Sequence, residues 1–230
     1  MLAWNNSESN VAENNISNIQ RILVWSSWLR LAHWLMAIAV LLLAATGWLI
    51  EMTPSVANAA SDYHYILATL LIGGLVLRVV LLFFDKITGH WQKLLPEAKE
   101  RPAYKQIFLF YLSLGKMSSP KWYAHNPLWK LVYFLILIVL FLQILTGMNR
   151  EAHPIMLGLY LPGVHEFLAS IILGFTVLHI IAVILHDLKG TASDISAMIN
   201  GHKVFVIEKH ENQESLAAHP ISLDQLKKKR

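Results

Sequence analysis

Four apolar stretches dominate the hydropathy pattern of the chain, at about 28–50, 63–84, 128–148 and 163–188. Each is long enough to cross the ~30 Å hydrocarbon layer of a bilayer, which takes ~20 helical residues. The first has LMAIAVLLLAATGWLI at its heart, and the last reads VHEFLASIILGFTVLHIIAVILH. The pattern predicts an all-α integral membrane protein, a four-helix bundle within residues 21–205. A mobile polar tail at 1–20, rich in Asn and Ser, and a basic polar tail at 206–230 flank it. LFYLSL, within 104–114, is too short to span and lies between Lys105 and Lys116, which predicts an interfacial or packed helix.

The loops set an expected orientation. EMTPSVANAASD, between the first two stretches, has no Lys or Arg. The next loop carries Lys86, Lys93, Lys99, Arg101, Lys105, Lys116, Lys121 and Lys130, and the third carries only Arg150. Lys189, Lys203, Lys209 and KKKR at 227–230 follow the last stretch. By the positive-inside rule both termini and the middle loop are expected to be cytoplasmic. Trp48, Trp122, Trp129 and Tyr160 near the span ends suit interfacial anchoring.

Composition agrees and narrows the chemistry. Of 230 residues 55% are hydrophobic and 15% charged, with a mean hydropathy of +0.47. The absence of cysteine excludes disulfides, thiolate metal sites, iron–sulfur clusters and covalent c-type haem. Any cofactor is held by histidine or by packing. The net charge of +4 has KKKR as its only cluster, a membrane-surface tail, so no nucleic-acid partner is expected. The first 20 residues lack the basic and apolar regions of a signal peptide.

Ionisable residues inside a span are costly and mark function by default. His165 and His179 lie 14 residues apart, ~40° short of four full turns and ~21 Å along the helix axis. They share nearly one face, one near each side of the bilayer, so each can serve a separate centre. Gly47 follows His33 by the same interval, and Arg78 follows His64. The outer level thus holds His64, His165 and a glycine, and the inner level His33, His179 and an arginine. A bundle holding two stacked haems needs this: facing imidazoles fill both axial positions, and a glycine admits the flat macrocycle. Arg78 and Arg30 can pair with propionates of the inner haem. Gly47 can instead serve helix packing, and Arg78 can snorkel to the interface. His186, ~20° from His179 on the helical wheel, competes with it as partner of His33, and otherwise faces the cytoplasmic headgroups. His90, His125, His153, His202, His210 and His219 fall in loops or tails, where solvation is the default.

RLAHWLMAIAVLLLAATG (30–47) resembles the first-span signature of the b-type cytochrome subunits of nickel–iron hydrogenases, an R-x-x-H-W start and an apolar run ending in T-G. HEFLASIILGFTVLH (165–179) keeps that family's paired histidines with F-x3-H at the end. HNPLWKLVYFLILIVLFLQILTG (125–147) and SAMINGHKVF (196–205) are similar to the same group, so most of residues 21–205 is covered. Formate dehydrogenase and thiosulfate reductase membrane subunits and bacterial b561-type cytochromes share the plan. The resemblance implies an outer haem b on His64 and His165, an inner haem b on His33 and His179, and quinone exchange near the inner one. The chain departs from the signature at Ser170, at PGV before His165, and at His186–Asp187.

The expected function is transmembrane electron transfer between a periplasmic redox subunit and the quinone pool. That partner is a hydrogenase, another dehydrogenase or reductase, or a multihaem cytochrome. His125 and Asn126 are quinone candidates, an imidazole and an amide able to bond a carbonyl; Asn126 can equally cap the helix that Pro127 opens. Two alternatives stand beside this. One is a stand-alone b-type cytochrome trading electrons between quinone and a small oxidant. The other is a histidine-lined metal transporter, which needs ligands at one depth.

Overall fold

The computed structural model describes residues 18–189 and 194–207. In chain order these form β1 (Asn18–Leu23), α1 (Ser27–Met52), α2 (Ala57–Phe84), α3 (Arg101–Leu112), α4 (Lys130–Asn149), β2 (Ile155–Met156), β3 (Leu159–Tyr160), α5 (Leu161–Lys189), α6 (Asp194–Asn200) and β4 (His202–Ile207). Residues Arg21–Val204 make one compact unit, the bundle. Most of both predicted tails, with His210, His219 and the KKKR run, lies outside the described residues.

Four helices, α1, α2, α4 and α5, are long and apolar enough to cross a membrane, as predicted. The second begins at Ala57 rather than near 63, because only Thr53 and one turn of 3₁₀ helix, opened by Pro54, separate it from α1. Ser26 caps α1 by accepting from Leu29 N at 3.2 Å. At the end of α2 Asp85 gathers the freed backbone. Its Oδ2 accepts from the N–H groups of Ile87, Thr88 and Gly89 at 3.0, 3.0 and 2.7 Å, and Oδ1 accepts from Ser26 Oγ at 2.6 Å.

α1 packs along α2, and α4 along α5, as two pairs. Gly74 permits the closest approach in the first: a Cβ there would stand 2.9 Å from Met36 Cγ and 3.2 Å from Met36 N. At mid-depth the pairs meet in one apolar layer of Ala39, Leu71, Leu75, Ile136, Leu140 and Ile172. Outward, Val76, Phe83, Phe141 and Leu178 are exposed, the face a lipid-solvated bundle requires.

The inner end is more ordered than an all-α reading foresaw. β1 and β4 pair there, while at the opposite end of the bundle β2 with β3 forms a second small antiparallel sheet between α4 and α5. Val24 N and Trp25 N donate to Gly201 O, and Trp34 Nε1 to Met198 O at 3.2 Å, which pins α6 against α1. α3 is a packed helix, burying Ile107 and Phe110. Trp48 and Tyr160 are exposed near span ends, as anchors should be. Trp122 and Trp129 are not anchors: both turn inward to line a cavity, where Trp129 Nε1 donates to Tyr111 Oη at 2.8 Å. Polar ring atoms in a closed apolar site take any acceptor within reach, and Tyr111 supplies one.

Candidate functional site

At the inner level His33 of α1 and His179 of α5 face one another, ring centroids 6.4 Å apart and planes tilted by 59°. Phe175, one turn before His179, stacks on it at 5.6 Å, and Tyr133 meets it edge-on at 5.9 Å. His33 Nδ1 is buried with no hydrogen-bond partner. Both imidazoles line a cavity of about 550 Å³ that reaches from the mid-depth layer to the inner end. Arg78, His125, Tyr111 and His186 share its wall.

Arg78 does not snorkel. It is buried, and Nη1 donates to Gly89 O at 3.0 Å, which keeps the guanidinium at the cavity wall. Arg30 is committed elsewhere, with Nη1 donating to Ile199 O and Nη2 to Ser27 Oγ. His186 does not face headgroups either. It is 5% exposed, boxed by Phe110, Tyr111 and Trp122, with Nδ1 3.7 Å from Asp194 Oδ2. A lysine-paired carboxylate inside the fold holds it there. His125 is not a solvated loop residue, for Trp25 and Tyr133 pack on it. Burial, then the charges of Arg78 and Lys130, push its pKa down to about 3. Asn126 is used structurally: Oδ1 accepts from Leu128 N and Nδ2 donates to Tyr111 Oη, each at 3.0 Å.

The outer level repeats one device on both helix pairs. Thr46 Oγ1 donates to Leu42 O at 2.9 Å, so it accepts from His64 Nδ1 at 2.8 Å. Thr146 Oγ1 likewise donates to Gln143 O at 3.0 Å, and His165 Nδ1 lies 3.1 Å from that hydroxyl and 3.2 Å from the same carbonyl. With protons thus fixed on Nδ1, the lone pair of each ring lies on Nε2, where a ligand to His165 would have to displace the Gln143 amide. Gln143 Nε2 donates to His165 Nε2 at 3.1 Å. Gly47 lies 3.7 Å, Cβ position to Cε1, from His64, and Gly147 2.9 Å from His165. Arg150 acts electrostatically on both outer histidines. Thr46, Thr146, Gln143, Gly147 and Arg150 escaped sequence reasoning. The signal was present, since T-G ends the first and third spans alike.

These residues fit haem. The 6.4 Å between the ring centroids of His33 and His179 leaves room for a haem iron that both imidazoles would hold. The orphaned Nδ1, the apolar cavity and a buried cation at its edge complete a suitable donor set. Among the described residues no group of three His, Asp or Glu side chains could hold a bare metal ion.

Apolar spans with imidazoles paired across a bundle define a multi-pass membrane haem protein. More narrowly, the chain belongs to the prokaryotic cytochrome b561 family, whose model matches residues 24–201. Membership implies haem b and electron transport. A protein of Cupriavidus necator named "Probable Ni/Fe-hydrogenase B-type cytochrome subunit" is 26% identical over 82% of this chain and 89% of its own length. One of the same name from Rhizobium leguminosarum bv. viciae is 26% identical over 81% of this chain and 90% of its own. No solved structure matches significantly.

Proposed function

We propose that the chain carries electrons across the bacterial inner membrane between a periplasmic redox subunit and the quinone pool, through two bis-histidine haems b. His33 and His179 hold the inner haem, and His64 and His165 the outer one. The observation that carries this reading is the 6.4 Å facing pair, at the opposite end of the bundle from the threonine-oriented pair. Haem b held by a histidine pair at each level would supply single-electron exchange.

The protein's own part is to fix those ligands and seal them from water. Thr46 and Thr146 hold the outer imidazoles in one tautomer. Phe175 and Tyr133 lock the plane of His179, and Arg78 and Arg150 supply cations for propionates at the inner and outer levels. The mid-depth apolar layer keeps the two centres separate and dry. The names of both relatives make a nickel–iron hydrogenase the proposed periplasmic partner. Quinone exchanges at the inner cavity, with His125 in its wall and Asn126 as a structural cap.

Haem per polypeptide on detergent-purified protein, with reduced-minus-oxidised spectra, tests the reading. Wild type should carry two b haems. His179→Ala and His33→Ala should each lose the same one, and His64→Ala and His165→Ala the other. One haem in wild type, or a haem lost in His186→Ala, overturns the assignment.

A further inference from the structure

The inner cavity has a second polar end, away from the His33–His179 pair. His186 stands there with Trp122, Phe110 and Tyr111 at ring separations of 4.9, 5.2 and 5.3 Å. Its Nδ1 is 3.7 Å from one oxygen of Asp194, whose other oxygen lies 2.8 Å from Lys203 Nζ. Its Nε2 is buried, without a partner, on a side chain that lines the cavity. A buried polar atom left unpaired is costly, so it calls for a ligand.

We propose that His186, oriented by Asp194, binds a quinone at this end of the cavity and passes protons to it. The proposal rests on the reading that quinone is reduced beside the inner pair. The flat aromatic walls suit a quinone ring, and Nε2 suits its oxygen. Charged and titratable groups facing His186 are Asp194 of α6, Lys203 of β4 behind it, and Tyr111 of α3. Burial pushes Tyr111 up to about 12, so it stays neutral, and its hydroxyl already receives Asn126 and Trp129. Burial raises the Asp194 carboxyl, but His186 and Lys203 outweigh this and hold it below the usual range.

Reduction of one quinone takes two electrons, supplied singly by ferrous haem b, and two protons, forming two O–H bonds. His186 gives one proton from Nε2 to the oxygen it holds and regains it from solvent past Asp194, whose side chain is 21% exposed, while the oxygen at the far end of the ring takes its proton from solvent.

The test uses dithionite-reduced, haem-loaded full-length protein mixed in stopped flow with decylubiquinone, or with ferricenium, which takes an electron and no proton. His186→Gln should keep both haems and the wild-type ferricenium rate, and lose on the order of 10²-fold or more in oxidation by quinone. Binding of the quinol analogue heptyl-hydroxyquinoline N-oxide, read by fluorescence quenching, should weaken in the same variant. Asp194→Asn should slow the quinone step less and change its pH profile. A wild-type quinone rate in His186→Gln overturns the proposal, and so does loss of a haem. Should that variant not accumulate, an unchanged pH profile in Asp194→Asn overturns it. Wild type that ferricenium oxidises and decylubiquinone does not would instead sink the quinone-linked function itself.

Discussion

A single carboxylate illustrates how much one residue can carry here. Asp85 stops α2, satisfies the N–H groups of Ile87, Thr88 and Gly89, and ties them to Ser26 at the start of α1. Burial raises its pKa, yet these bonds prevail and hold it below the usual carboxylate range. A group depressed on folding contributes stability above its unfolded pKa, near ~3.9, and loses it as pH falls through the folded value. Asp85→Ala should therefore cost about 1–3 kcal/mol at pH 7, seen as a lower thermal midpoint in detergent. The gap from wild type should close below pH ~4. Gly147 offers a second case. A methyl there would press on His165 at 2.9 Å, so Gly147→Ala should disturb the outer haem spectrum while leaving the inner one intact. The span histidines, the proposed ligands, were legible as residues because ionisable groups are rare in spans. Their orienting threonines were not, since a threonine in an apolar run reads as ordinary packing until its partner is known.

Between elements, close packing of α1 on α2 depends on which glycine faces the seam. Gly74 meets Met36 and Leu35, whereas Gly73 has nothing within 4 Å of its Cβ position. Gly74→Ala should cost about 1–3 kcal/mol by overpacking. Gly73→Ala should be neutral or stabilising, by up to ~1 kcal/mol from helix propensity. Thermal unfolding of the two variants side by side decides this, and equal effects would place the seam elsewhere. Span count was readable from hydropathy alone, because twenty apolar residues have few other destinations. The early start of α2 was not, since residues 57–62 (ANAASD) are too polar to register as span and too helix-competent to break one.

For the molecule as a whole, the proposed orientation rests on the charge of the loops, and the cysteine-free chain makes it simple to check. A cysteine at Ser55 should react with an impermeant maleimide in intact spheroplasts, and one at Lys116 only after lysis. The reverse pattern would put the quinone cavity on the periplasmic side and remove the proposed route of electrons.

By itself the sequence determined the four spans, the exclusion of thiolate chemistry, and two levels of histidine set by the pitch of a helix. Those are local or periodic properties, fixed by composition and 3.6 residues per turn. Only the tertiary structure decided that His179 rather than His186 faces His33. The wheel positions differ by ~20°, too little to separate them, whereas Asp194 and three aromatic rings from other segments hold His186 apart. The same holds for Trp122, Trp129 and Arg30, whose partners lie far along the chain. A side chain's direction is set by what packs against it, and that becomes known only once the helices have met.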